Sequence, residues 1–301
     1  MAVPLKRSFD CAIAIPASLT SDIPHLREKT FRIGLIGRAA AIFRVDEIVV
    51  YPDLPNVNQA ANINLIQKIL SYLETPQYLR KRLFKIMPEL RYAGTLPPLR
   101  TPHHPIANKT ENLTIGEYRE GLVLSHSKLG AYIDIGVEQP VLVQGAKGTI
   151  NTRVTVKITE LEMQPRAVFV DPRQIRIYWG YKVSAPSVPL TQLLRKREFD
   201  LVIATSRKGI PLTRILDELS ERLKASQKVL VVFGAPTQGL HEITLHEDVK
   251  LDDAVHFIVN TIPNQATETV RTEEAVYATL SILNTLSCSF PSKNSHRFDN
   301  L

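Results

Sequence analysis

The chain has 301 residues, of which 44% are hydrophobic and 22% charged, and these proportions are typical of a soluble globular protein. No apolar run approaches the roughly 20 residues that a membrane-spanning helix needs, so we expect no membrane partner. The formal net charge of +7 excludes a strongly acidic protein and is a first indication of a polyanionic partner.

The start of the chain is not expected to be a signal peptide, because Asp10 and two prolines interrupt its short apolar run. The two cysteines, Cys11 and Cys288, are too few for a zinc site and show no spacing motif. Free cysteines suit a reducing compartment, so we expect a cytoplasmic protein without a bound metal.

The first hundred residues alternate strand and helix patterns, which indicates a parallel sheet with helices on its faces. In chain order the predicted elements are a strand over Phe9–Ile15, a helix from about Pro24 to Phe43, a strand over Glu47–Tyr51, and helices over Asn62–Leu73 and Gln77–Ile86.

A basic segment covers residues 79–109, where Glu89 is the one acidic residue. Such a concentration of positive charge suits contacts with RNA phosphates. The alternative is a solvated helix face followed by a basic loop. The residues predicted to contact RNA are Arg80, Lys81, Arg82, Lys85, Arg100, His103 and His104.

The pattern changes at about Asn108 to short β runs and turns, with no convincing helix between Ile115 and Tyr181. Glycines or prolines separate these runs at intervals of about ten residues, which is typical of a small β-barrel or sandwich. Five strands in some 70 residues fit an OB-like barrel.

The α/β pattern returns after Pro186, so the β module is predicted to be an insert. The polar residues 288–301 are predicted to form a flexible tail. The elements predicted here are strands over Phe199–Thr205, Lys228–Phe233 and Val255–Asn260, and helices over Leu212–Leu223 and Glu273–Leu286.

Three loops, at 204–209, 234–240 and 260–274, follow the three predicted strands of this part. Ligands collect at the carboxyl ends of strands in open α/β sheets. The third loop is rich in neutral hydrogen-bonding side chains, which suit adenine, ribose and an amino-acid carboxylate better than a bare phosphate chain. The alternative is ordinary turn chemistry, with Thr272 capping the last helix above Glu273 and Glu274.

Competing ligand motifs do not occur in the sequence. There is no G-x-G-x-x-G after a strand and no G-K-[ST], so neither a dinucleotide site nor a P-loop is supported. His241 and His246 lie five residues apart, which places them about 140° apart on a helix, so they cannot share a metal ion.

The segments VVFGAPTQGLHEI and NTIPNQATETVRTEEAVYATLSILN resemble the cofactor-binding half of the SPOUT methyltransferases. With IGRAAAIFRVDEIVVY, LRYAGTLPPLRTPHHP and the β insert, the chain is similar to the archaeal and eukaryotic branch of RNA methyltransferases that carry an inserted OB-like domain. Where that branch has a Gly-rich step, residues 264–266 read Asn-Gln-Ala. The resemblance implies an α/β parallel-sheet domain with a trefoil knot, residues 1–107 and 182–287, and an OB-like RNA-binding insert, 108–181.

The resemblance also implies S-adenosylmethionine as cofactor and RNA as substrate, with ribosomal RNA as the expected RNA and a uridine base as the target. It further implies a homodimer with its active site at the subunit interface. The residues implied to hold the cofactor are Thr205, Gly234, Ala235, Gly239, Leu240, Thr261, Ile262, Gln265, Thr269 and Val270.

Arg38 is the residue predicted to act in chemistry. It is the one charge between Ile33 and Phe43, in a stretch otherwise apolar or small, and it resembles the N-terminal catalytic arginine of the family. It would stabilise a developing oxyanion or anchor a phosphate. The alternative is a salt-bridging surface arginine. Glu273 or Glu274 is a candidate base, although a position at a helix N-terminus is expected to lower the carboxyl pKa.

Two rival functions remain at this point. One is a non-catalytic knot-fold RNA-binding or ribosome-assembly factor, which would bind the cofactor without methylating any RNA. The other is an adenine-nucleotide-dependent enzyme on an unknotted Rossmann-like sheet, against which the missing glycine fingerprint argues.

Overall fold

The structure, a computed structural model, describes residues 4–195 and 198–288. The described chain divides into two compact units. One contains residues 6–71, 89–97 and 181–288, and the other contains residues 4–5, 72–88 and 98–180. The predicted tail lies outside the described residues, apart from Cys288, which ends the last helix.

The first unit is built on a six-stranded sheet with the order β11-β9-β10-β1-β2-β8, in which every pair of neighbours is parallel. The predicted parallel sheet is therefore confirmed. Its strands are β1 (Asp10–Pro16), β2 (Glu47–Tyr51), β8 (Lys182–Ser184), β9 (Leu201–Pro211), β10 (Lys228–Val232) and β11 (Phe257–Asn260).

The central strands of this sheet are buried on both faces, which explains why they read as nearly continuous apolar runs. Ala12 and Ala14 of β1 and Leu230 and Val232 of β10 pack in one cluster, and Ile13 between them points to the opposite face because side chains alternate along a strand.

Helices cover the sheet, as the alternating pattern predicts. Two short helices, at residues 190–195 and 240–245, had no recognisable periodicity in the sequence, and the helix predicted from Leu212 begins instead after a 3-10 turn. The helices, including those of the other unit, are α1 (Leu26–Ile42), α2 (Ala60–Glu74), α3 (Gln77–Leu83), α4 (Leu190–Arg195), α5 (Leu216–Ala225), α6 (Leu240–Leu245) and α7 (Thr272–Cys288).

Helices α1 and α7 pack side by side and run in the same direction. Arg32 pairs with Glu273 near the start of α7, and Arg44 donates a hydrogen bond to Asn284 near its end. The start of α7 therefore lies beside the middle of α1, and this packing places the positive charge of Arg32 next to Glu273.

The second unit contains a closed five-stranded barrel in the order β3-β4-β5-β7-β6, in which only the β5–β7 pair is parallel. Val123, Ile133, Val143 and Val156 lie in its apolar core. The predicted small β-barrel is confirmed. Its strands are β3 (Tyr118–His126), β4 (Gly130–Asp134), β5 (Val141–Gln144), β6 (Arg153–Glu160) and β7 (Arg166–Phe169).

The compact unit around the barrel is larger than the predicted insert at 108–181, because it also contains residues 72–88 and 98–107. The physical reason is a buried charge cluster. Glu74 and His103 from these added segments bind each other, and Glu74 is held by Arg153 of β6. These polar contacts join residues that no sequence pattern relates.

Candidate functional site

An open cavity of about 280 Å³ lies at the carboxyl ends of β9, β10 and β11. All ten residues predicted to hold a cofactor line it, because parallel strands end at the same edge of a sheet and bring their following loops together. Neutral side chains from all three loops, among them Thr205, Gln238 and Thr261, contribute to its wall.

The first loop is a bulge inside β9 rather than a break after it. Ala204 pairs with Ile258 of β11, but the next pair is Ile210 with Val259, so residues 205–209 leave the ladder. Gly209 allows this close approach, since a Cβ there would lie 2.7 Å from the carbonyl oxygen of Ile258. The predicted loop at 204–209 therefore reaches the cavity while the strand continues to Pro211.

The second loop turns tightly between β10 and α6. The amide of Ala235 donates to the carbonyl of Gln238, and the amide of Gly239 donates to Glu242 Oε2 at 3.2 Å. Nothing lies within 4 Å of the place where a Cβ of Gly239 would stand, so the cavity continues beside this residue.

The third loop is held by its own polar groups. Asn260 donates to the Arg207 carbonyl and accepts from the amide of Ile262, while Gln265 Nε2 donates to the Thr267 carbonyl. Asn264 has φ 58°, a left-handed conformation that asparagine tolerates better than most residues, so this chain needs no glycine at that step.

Thr272 does not form the helix cap expected as the alternative reading of this loop. Its hydroxyl donates to the Gly234 carbonyl at 3.1 Å and so joins the third loop to the second. The amide of Arg271 is bound instead by the Glu274 carboxylate at 2.9 Å.

The cavity fits a neutral nucleoside attached to an amino acid. Gln238 Oε1 is buried without a hydrogen-bond partner among the described residues, and it lies in the cavity wall, where a ligand donor would satisfy it. Hydroxyl and amide groups outnumber charged ones around it, and open space beside Gly239 admits close approach to backbone.

A second cavity, of about 700 Å³, lies where α1 passes the start of α7. Its central residue, Arg32, was not among the predicted site residues, and the Arg32 side chain is only 9% exposed. Arg32 binds Asp22 Oδ1 at 2.6 Å and Glu273 Oε1 at 3.2 Å. Two glutamates at the start of a predicted helix were the visible signal, but Arg32, the partner of Glu273, lies far away in sequence.

Glu273 behaves differently from the sequence expectation. Burial raises the pKa of Glu273, and this exceeds the lowering by its backbone amide and by the nearby Arg32. The expected net lowering at a helix N-terminus is therefore wrong for this residue, because the desolvation of a buried carboxylate outweighs the dipole.

Arg38 lines neither cavity, and its predicted catalytic role stays a prediction. It is half-buried near Tyr277, where its charge lowers the phenol pKa that burial raises. Seven residues separate it from Phe31 of the second cavity, which places both on one face of α1, about 10 Å apart along the axis.

The basic segment is only partly available to RNA. Lys81, Lys85 and Arg100 are exposed, and Arg82 is exposed beside Asp134 at 3.0 Å. The half-buried Arg80 donates to the carbonyls at the end of α2, Leu73 and Thr75.

The two histidines of this segment have structural roles. His103 is fully buried, so its predicted contact with RNA is wrong: its Nε2 lies 3.1 Å from the Glu74 carboxylate. Burial, and then the proximity of His103, lowers the pKa of His104 to about 3, so this residue is neutral at pH 7 and cannot neutralise a phosphate.

No group of three or more potential metal ligands occurs within residues 4–195 and 198–288. In the same residues no helix combines the length and apolar character needed to cross a bilayer.

Comparison with known proteins adds an independent result. A family model described as "Putative RNA methyltransferase" matches residues 10–283. An uncharacterized protein of Halobacterium salinarum is 33% identical over 288 residues, covering 90% of this chain and 98% of its own. Proteins named 28S rRNA (uridine-N(3))-methyltransferase from Mus musculus and Homo sapiens are each 31% identical over 308 residues, covering 92% of this chain and 76% and 78% of theirs.

Proposed function

The chain belongs to this family of RNA methyltransferases, and we propose that it transfers a methyl group from S-adenosylmethionine to a uridine of ribosomal RNA. The family supports methyl transfer to RNA as the reaction class. The cofactor, the type of RNA and the nucleotide are proposals, and the first of them has the strongest structural support.

The cavity at the ends of β9, β10 and β11 carries the cofactor proposal. Its wall offers neutral donors and acceptors on three loops, an unsatisfied buried oxygen on Gln238 and space beside Gly239. A bound S-adenosylmethionine supplies an activated methyl group, so the protein mainly has to position a nucleophile in line with it.

The proposed target rests on the relatives whose names give the N3 atom of a uridine in 28S rRNA as the site of methylation. Those relatives match this chain over about nine-tenths of its length. A uracil N3 carries a proton, so methylation at this atom requires a group that accepts it.

The family resemblance supports three further proposals. The loops after β9, β10 and β11 would form a trefoil knot, the barrel would be an OB-like module that docks RNA, and two copies would form a cytoplasmic homodimer with its active site at the interface. The five-stranded closure of the barrel is compatible with the second. Light scattering after size-exclusion chromatography tests the dimer.

Calorimetry tests the cofactor proposal. S-adenosylmethionine or its demethylated product should bind, and NAD and ATP should not bind comparably. Gly239→Val should abolish binding, because the new side chain would occupy the space beside Gly239, where no protein atom lies within 4 Å. The backbone of Gly239, with φ −77° and ψ 164°, accepts a valine without strain.

A matched control is Gly94→Val, since a Cβ at Gly94 also meets nothing within 4 Å but Gly94 is not part of the cavity wall. Gly239→Val that folds and binds the cofactor with unchanged affinity would exclude this cavity. Mass spectrometry of ribosomal RNA nucleosides from cells with and without the protein then identifies the methylated nucleotide. An unchanged nucleoside profile would contradict the ribosomal target.

A further inference from the structure

The second cavity has the features of a nucleotide site. It is lined by Phe31 and Arg32 of α1, by Thr95, and by Arg271 and Glu273 at the start of α7. Its volume of about 700 Å³ is within the range usual for ligand sites.

The floor of this cavity holds a charged pair of unusual burial. The side chains of Arg32 and Glu273 are 9% and 7% exposed, and Glu273 Oε1 lies 3.2 Å from Arg32 Nε. Glu273 Oε2 is buried and has no hydrogen-bond partner among the described residues. A buried carboxylate oxygen without a donor is costly, and a ligand that brings an N–H would satisfy it.

The rim of the cavity supplies other groups that a nucleotide needs. Phe31 is 52% exposed, which is unusual for a phenylalanine and leaves its ring free to stack on a base. Arg27 and Arg271 are exposed beside it and can contact phosphates, with Glu28 as the one carboxylate of the rim.

The two cavities share one segment of chain. Thr269, Val270 and Ala275 line the cofactor cavity, whereas Arg271 and Glu273 line the second one. Thr272 between them is tied to Gly234 in the cofactor cavity. Residues 269–275 therefore border both cavities, so a nucleotide in the second and a methyl donor in the first would adjoin the same short segment.

From this arrangement we propose that the cavity lined by Phe31, Arg32, Arg271 and Glu273 receives the target nucleotide, and that Glu273 is the general base for its methylation. The inference rests on the proposed function. The N3–H bond of the uracil breaks, its proton passes to the Glu273 carboxylate, and its electron pair stays on N3. A bound sulfonium donor would supply the methyl carbon to which N3 bonds, with the carbon–sulfur bond breaking and its electron pair going to sulfur. Glu273 then releases the proton to water.

The charges around Glu273 suit this role. Arg32 faces it from α1, Arg271 and Glu274 flank it on its own segment, and Asp22 reaches it through Arg32. Burial raises the pKa of Glu273 and so makes its carboxylate a stronger base. The positive charge of Arg32 acts in the opposite direction and favours the ionised carboxylate, the form that can accept a proton.

The test compares Glu273→Gln with Glu274→Gln in single-turnover methyl transfer, at saturating S-adenosylmethionine and an RNA that the wild-type protein methylates. Glu274 is the matched control because it is the adjacent carboxylate, is exposed and lines neither cavity. Glu273→Gln should lower the rate at pH 7 by a factor of about a hundred or more. Its rate should recover as the pH rises, because ionisation of the uracil in solution replaces the missing base.

A folded Glu273→Gln protein with a near-normal rate would overturn the proposal, and so would a loss that no increase of pH restores, since that indicates a structural role. If this variant does not fold, Phe31→Ala decides whether the cavity binds the nucleotide. It should weaken RNA-dependent turnover about tenfold through lost stacking, whereas Ile42→Ala, at a similarly exposed position of α1, should not. An unchanged rate in Phe31→Ala would overturn the nucleotide site.

A wild-type protein that binds the cofactor but methylates no RNA would refute the proposed function itself. This outcome is distinct from the loss or retention of activity in the Glu273 variant.

Discussion

Glu74→Gln should destabilise the barrel unit strongly at neutral pH. Glu74 is buried at the end of α2, and both its oxygens bind Arg153, at 2.6 and 2.9 Å. Burial alone would raise the pKa of Glu74, but Arg153 and then His103 outweigh it and lower the value from 4.5 to about 2. The glutamine keeps the shape and leaves the Arg153 guanidinium without this carboxylate.

The magnitude follows from this pKa. A fall from 4.5 to about 2 corresponds to about 3 kcal/mol of stability. Because the folded-state pKa is the lower one, this contribution is complete above pH 4.5 and is lost as the pH falls toward 2. Breaking a buried pair by removing one partner costs about 3–5 kcal/mol, which agrees with this figure.

Urea unfolding of the full chain measures the effect, with Trp179 fluorescence as the local probe. Trp179 is the one tryptophan of the chain, and its Nε1 donates to Glu120, which also binds Arg153. The free energy of unfolding at pH 7 should fall by about 3 kcal/mol in Glu74→Gln, and the difference from wild type should shrink toward pH 3.

The control for this experiment is Glu111→Gln, in the same unit. Glu111 pairs with Lys109 at 3.3 Å on the surface, so its replacement should change the free energy of unfolding by less than about 1 kcal/mol. A difference below 1 kcal/mol for Glu74→Gln at pH 7, or one that does not depend on pH, would refute the assigned role of the buried pair.

Two other predictions concern RNA. Arg38→Ala should reduce the single-turnover methylation rate roughly a hundredfold while leaving cofactor affinity unchanged. Arg38→Lys should recover activity if charge alone matters. A folded Arg38→Ala protein with a near-normal rate would remove this residue from the mechanism. Lys81→Ala and Lys85→Ala should each lower the magnitude of the slope of log affinity against log salt by at most about one. The control Lys224→Ala, at an exposed position of α5, should leave this slope unchanged. Equal slopes in all three variants would exclude the basic segment from phosphate binding.

Local patterns were sufficient to predict most of the elements. The valine-rich run at Lys228–Phe233 became a central strand, and the five β runs between Ile115 and Tyr181 became the five strands of the barrel. Helices α4 and α6 were missed because six residues are too few to show a period of 3.6.

The lining of the first cavity also followed from the sequence, together with the family resemblance. Parallel strands present their carboxyl ends at one edge, so loops that follow β9, β10 and β11 must meet there. Residues such as Thr205, Gly239 and Thr261 could therefore be grouped without knowledge of a single contact.

Only the tertiary structure decided which charges are buried together. Arg32 and Glu273 meet because α1 packs beside α7, and Arg153 meets Glu74 across 79 positions of sequence. Burial made His103 a structural partner of Glu74 and raised the pKa of Glu273 instead of lowering it. Periodicity reports which face of an element is apolar, but the pKa and partner of a buried charge depend on the neighbours that packing brings to it from elsewhere in the chain.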